Sequence, residues 1–207
     1  MNDILAAVMH DIKNQLADLA LRLHRRGDAR AEMEIAMNAS RRLSEMLLLA
    51  REDSPLNVNA DAANPVDFMK ALAAEYAELY PEITIDVNGA RAPACAFYDE
   101  VLIRMALANA LHNACRHAAS RVGFSAFEQS GMLVLEISDD GPGYPNQVLE
   151  TAGKLPVEAS TAGTGLGLYL ANRIAGLHCL KDRCGHIELA NGESGCGHGA
   201  RFRMYLP

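Results

Sequence analysis

An apolar stripe with nothing to cover it constrains this chain most. Over residues 3–24, Leu5, Val8, Ile12, Leu16, Leu19 and Leu23 recur at helical spacing. Over residues 31–51, Met33, Met37, Leu43, Leu47 and Ala50 do the same. Between them, Arg25–Arg30 holds Gly27 and Asp28 and reads as a tight turn. Two helices so joined form an antiparallel hairpin. One hairpin leaves its seam bare, whereas two hairpins bury it in a four-helix bundle. The spacing predicts a homodimer formed through residues 1–54.

The pattern changes after residue 53. DSPLNVNADAANP, residues 53–65, is polar, contains two prolines and lacks a period, as a linker does. Residues 55–207 then read as one α/β domain. Helices are expected at Val66–Tyr80, Asp99–Ala118 and Thr164–Leu177. Strands are expected at Ile83–Val87, Val122–Phe127, Met132–Ser138, 186–190 and 200–206, with Gly131 in a turn and residues 144–162 loop-like. Half of the 207 residues are hydrophobic, enough to bury a core.

The formal net charge of −7 argues against a general nucleic-acid binder. No apolar run reaches the ~20 residues of a membrane span, and no secretory signal pattern opens the chain. A cytoplasmic protein without a membrane span is expected, its signal reaching it through an upstream sensor or activator. The five cysteines are Cys95, Cys115, Cys179, Cys184 and Cys196, and reduced thiols are the simplest expectation. Cys179, Cys184 and Cys196 cluster in sequence with His178, His186 and His198, a set that suits metal binding, oxidation or simple scatter.

On the first helix, at ~100° per residue, His10 falls opposite the apolar stripe, with Asn14 one turn on and the small residues Ala6 and Ala17 nearby. A neutral imidazole offers a ring lone pair to a phosphorus centre. Asp11 can take the other ring proton, and Asn14 can orient a water. A solvated surface histidine has the same local pattern, so downstream residues must decide.

Two glycine motifs follow in order. Asp139-Asp140-Gly141-Pro142-Gly143 comes directly after an apolar strand, and Gly163-Thr164-Gly165-Leu166-Gly167-Leu168 opens a helix. A carboxylate at a strand end can accept from an exocyclic amine such as that of adenine. Glycines at a helix N-terminus present backbone N–H groups to phosphate. Between the hairpin and these motifs, Asn109, Asn113 and Arg116 fall within ~60° on one helix face, opposite Leu107, Leu111, Ala114 and Cys115. An Asn oxygen suits Mg2+ and an Arg suits phosphate. His117 can stack on a base.

His-Asp-x-Lys-Asn, NxxxNAxRH, DxGxG and GTGLGL, in this order over residues 10–168, resemble the H, N, G1 and G2 boxes of two-component sensor histidine kinases. GARFRMYLP resembles their last strand. The resemblance implies a two-layer α/β sandwich of GHKL type behind the hairpin. It implies ATP and Mg2+ as cofactors, His10 as phosphoacceptor, Asp11 as its acid/base, and Asn14 as the position used for phosphatase activity. Asn113 would ligate Mg2+, with Asn109 and Arg116 near the phosphates, His117 at the base and Asp139 on adenine. Gly141, Gly143, Gly163, Thr164, Gly165, Leu166 and Gly167 would shape the pocket and its lid. A response-regulator receiver domain would be the partner. Departures are the brief stretch before His10, Gln15 in place of proline, a lid without its phenylalanine pair, and CLKDRC at 179–184 in place of a glycine-rich turn. They point to low or partner-dependent basal activity.

The expected function is ATP-dependent histidine autophosphorylation and transfer to a regulator aspartate. One alternative is a phosphotransfer adaptor or response-regulator phosphatase with a vestigial ATP domain. Others are a protein-serine kinase of anti-sigma-factor style, which usually lacks a His-bearing hairpin, and a mechanical GHKL ATPase, which needs further domains.

Overall fold

The computed structural model describes residues 58–151, 166–192 and 199–207, together with Leu16, Leu19, Ile35, Ala36 and Ala39. The chain divides into two units, Met1–Leu56 and Asn57–Pro207. In the first, the five described residues are all helical, with Ala36 buried and Leu19 and Ile35 exposed. His10, Asp11 and Asn14 lie outside the described residues.

The second unit begins with β1 (Asp61–Ala63), a short strand inside the stretch expected to be linker. Asn64 then caps α1 (Pro65–Leu79), its side chain accepting from Val66 N and Asp67 N at 2.9 and 3.2 Å. Proline at the first helical position loses no hydrogen bond there. β2 (Thr84–Arg91) and β3 (Ala96–Tyr98) follow, and β3 pairs with β1. α2 (Glu100–His117) is capped by Asp99, whose side chain accepts from Leu102 N at 3.0 Å.

β4 (Arg121–Gln129) and β5 (Met132–Asp139) form a hairpin. Its turn places Ser130 and Gly131 at φ of 54° and 72°, the left-handed pair that a twisted two-residue hairpin needs. α3 (Asn146–Thr151) is a short helix within the stretch expected to be loop-like. α4 (Leu166–Leu177) leads into the two-residue strands β6 (Cys179–Leu180) and β7 (Arg183–Cys184), then β8 (His186–Asn191) and β9 (Ala200–Leu206).

The main sheet has the order β2-β4-β5-β9-β8. β2 runs parallel to β4, and the other neighbours are antiparallel. On one face α2 lies between α1 and α4. Alternation on the strands turns Phe124, Leu135, Ile137 and Phe202 toward Ile103, Leu107 and Leu111 of α2 and Leu170 and Ile174 of α4, all at most 2 % exposed. Each such side chain contributes about 1.5–3 kcal/mol of transfer free energy. On the other face, Arg203 pairs with Glu136 at 2.6 Å, and Arg91 and Arg203 lie over Phe127.

The expectation of reduced thiols is corrected for one pair. Cys179 and Cys184 face each other across β6–β7 and are joined by a disulfide. Buried His178 ties the start of α2 to the end of α4. Its Nε2 accepts from Asp99 N at 3.0 Å, which leaves Nδ1–H to donate to Ile174 O at 2.9 Å. His186 stacks on Tyr205. No three potential ligands gather for a metal among the described residues. Cys196 and His198 lie outside them.

Candidate nucleotide site

The site takes shape where the C-terminal half of α2 meets the end of β5. Leu107, Leu111, Ala114 and Cys115 are buried against the core, so the opposite face of α2 carries Asn109, Asn113 and Arg116. Asn109 is only 8 % exposed, and its Oδ1 is buried without a hydrogen-bond partner among the described residues. A buried amide oxygen without a partner costs about 1–3 kcal/mol, which a cation or a donor at that position would relieve. Asn113, one turn on, is half-buried, and Arg116 and His117 are exposed at the helix end. Two Asn oxygens form a hard donor set, a chemistry that fits Mg2+.

Asp139 ends β5 opposite Val122. The residue is 4 % exposed, and Oδ1 accepts from Gly141 N at 2.8 Å and Ala200 N at 3.2 Å. Burial pushes this carboxyl up, the two N–H groups and the His117 charge oppose it, and the net displacement is upward from the ordinary range.

Glycines make the approach possible. A Cβ on Gly141 would run into the carbonyl oxygen of His117, so only glycine lets the turn after β5 lie against the end of α2. Gly143 sits at φ 84°, where a Cβ would also meet the Asn191 side chain at 2.8 Å. Of the second glycine motif, Leu166 begins α4 and Gly167 lies half-buried in its first turn. Gly163, Thr164 and Gly165 lie outside the described residues.

Three supporting residues escaped the sequence reading. Asp140 accepts from Ala119 N, Ser120 N, Ser120 Oγ and Arg121 N at 2.7–3.1 Å. Burial alone would raise its carboxyl, but these donors prevail and hold it at about 2. It fastens the α2–β4 connection. Asn191 clamps the far end of the glycine turn, Nδ2 donating to Tyr144 O at 2.8 Å and Oδ1 accepting from Tyr144 N at 2.7 Å. Gly199 packs so closely that a Cβ would meet both the carbonyl and the carboxylate of Asp139. A doubled Asp before GPG was the visible signal for Asp140. Asn191 and Gly199 had none, because their partners lie far away in sequence.

Known proteins resemble this chain in sequence and in fold. A probable sensor histidine kinase of Mycobacterium tuberculosis is 29% identical over 186 residues, 86% of this chain and 46% of that protein. The sensor protein kinase CarS of Pseudomonas aeruginosa is 44% identical over 113 residues, 52% of this chain and 23% of that protein. Among solved structures, full-length ShkA in complex with AMPPNP matches with a TM-score of 0.69 at 20% identity, covering 100% of this chain and 46% of that one. The chain spans about half the length of curated relatives that it matches. Residues 98–207 match the profile of the histidine kinase-, DNA gyrase B- and HSP90-like ATPases, which covers α2, the glycine turn and the last strand. This chain is a member of that ATPase family.

Proposed function

We propose that the chain is a protein-histidine kinase of a two-component system, with Asn57–Pro207 as the Mg-ATP-binding part and Met1–Leu56 as the dimerisation and phosphotransfer part. The observation that carries this reading is buried Asp139 at the end of β5, followed by a turn that packs on the end of the Asn109- and Asn113-bearing helix α2 as only glycine permits. In this reading Asp139 accepts from the adenine amine, and His117 stacks on the base. Asn109 and Arg116 face the phosphates, and the Gly163–Gly167 segment covers them. Asn113 holds Mg2+, which supplies charge neutralisation when bound.

A lone pair on a neutral His10 ring nitrogen attacks the γ-phosphorus, the bond from phosphorus to the ADP oxygen breaks, and ADP leaves. Asp11 accepts the proton of the other ring nitrogen. The phosphoryl group then passes to an aspartate of a response-regulator receiver domain, and Asn14 serves the reverse, hydrolytic direction by orienting a water. Exposed Leu19 fits a hairpin that completes itself against a second copy.

Incubation with γ-labelled ATP and Mg2+ tests the assignment. Wild type is expected to take up an acid-labile, alkali-stable label, and His10→Gln to take up none. ATP binding without label would point to a missing activator or to the phosphatase reading. No ATP binding would favour the adaptor with a vestigial domain.

A further inference from the structure

We infer that Cys179 and Cys184 form a reversible dithiol–disulfide site, closed by hydrogen peroxide and opened by a small thiol such as glutathione. The two sulfurs are bonded to each other between paired residues of β6 and β7, and both cysteines are exposed. The bridge spans only five positions in sequence, so it restrains the unfolded chain less than a long-range bridge would. Leu180, Lys181, Asp182 and Arg183 are all exposed, and none of them joins the core. The fold therefore holds without the bridge, and solvent thiols can reach it.

The reduced state also has a place in the structure. Cys179 Sγ lies 3.3 Å from the carbonyl oxygen of Gly176, in the last turn of α4. Only a thiol can donate there, so reduction gives this carbonyl a partner that the disulfide cannot provide. The hairpin stays folded around the open pair. Gly185 N donates to His178 O at 2.8 Å, and Arg183 Nη1 donates to Ser130 O at 3.0 Å. A Cβ on Gly185 would strike the carbonyl oxygens of Ala175 and Tyr205, which fixes the strand exit. The sulfurs thus remain within reach of each other and reclose intramolecularly.

Cys179 is the attacking thiol in this proposal: it lines a groove of about 510 Å³ with Cys95, Phe97, Met132, Leu177 and Leu180, and its pairing with Cys184 across β6–β7, which Cys95 lacks, supplies the resolving thiol. Its thiolate attacks one peroxide oxygen, the O–O bond breaks, and the departing hydroxide leaves as water after taking a proton. Cys184 then attacks the sulfenic sulfur, the S–S bond forms, and the S–O bond breaks to release a second water. Two thiols lose two electrons and one peroxide gains them. Two glutathione thiols reverse the step and leave as glutathione disulfide. Cys115 takes no part: it is buried, and its thiol is pushed up to about 12 by burial and then by the charges of Glu82 and Asp139.

The test uses the full chain, reduced, freed of reductant and then exposed to hydrogen peroxide, with thiols alkylated and mapped by mass spectrometry. One intramolecular bridge between Cys179 and Cys184 is expected, and glutathione should return both thiols without unfolding the protein. In Cys184→Ser, dimedone should trap a sulfenic acid on Cys179 that wild type does not accumulate. A bridge that yields to glutathione only after denaturation would overturn the proposal in favour of a structural disulfide. Oxidation of Cys179 to sulfinic acid with Cys184 left free would also overturn it.

Discussion

At the scale of single residues, two adjacent carboxylates take opposite roles. Asp139 is desolvated and displaced upward, whereas Asp140 is ringed by donors and held at about 2. The consequence for pH follows from the signs. The native chain binds a proton at Asp139 before an unfolded chain would, so acidification through its raised value stabilises the apo fold while removing the acceptor. Asp140 behaves in reverse: its contribution is complete above the ordinary carboxylate value and is lost as pH falls toward about 2. Asp139→Asn is expected to weaken ATP binding about 10- to 100-fold, the range for a hydrogen bond to a charged group. Calorimetry across pH would check this. Affinity should fall on acidification in wild type, and that component should vanish in the variant.

At the scale of elements, the site depends on how closely a turn approaches a helix end. Gly141→Ala places a methyl group against the His117 carbonyl, so the turn must move and carry Asp139 with it. A cost of about 1–3 kcal/mol is expected, together with a loss of ATP affinity. Gly176→Ala is the contrast. Among the described residues outside its own helix, the nearest atom to its Cβ would be Gly185 O at 3.9 Å, and alanine is the better helix former. Thermal unfolding with and without ATP separates the two: the first variant should melt lower and lose its ATP-induced shift, and the second should retain both.

At the scale of the whole molecule, the proposed phosphotransfer requires a partner for the hairpin. Leu19 is 46% exposed and Ile35 69% exposed on helical backbone. Sedimentation is expected to give a dimer, and Leu19→Glu should shift it toward monomer, because a charge then occupies the apolar seam. A monomeric wild type at micromolar concentration would remove the basis for the four-helix bundle. The variant should still bind ATP, since the described nucleotide site lies wholly within Asn57–Pro207.

Local periodicity and glycine chemistry carried most of the fold. The helices near 66–80, 99–118 and 164–177 and the five strands of the main sheet were legible because each has its own apolar pattern and turn signals. Asn109, Asn113, Asp139 and Gly141 could be singled out as candidates because polar residues on a helix interior and glycines after an apolar strand are locally costly. Tertiary structure alone decided the rest. β1 and β3 exist by pairing with each other across more than thirty residues, and neither has a period of its own. α3 is too short to carry a helical stripe. Gly199 and Asn191 reach the site only because β9 lies between β5 and β8. Likewise, Cys179 and Cys184 stood out in sequence only as members of a Cys/His cluster open to metal binding, oxidation or scatter, until the β6–β7 turn, with Lys181 at φ 55°, set them face to face. A sequence specifies contacts between neighbours through spacing, but contacts between distant residues arise only once the core has fixed the order of the strands.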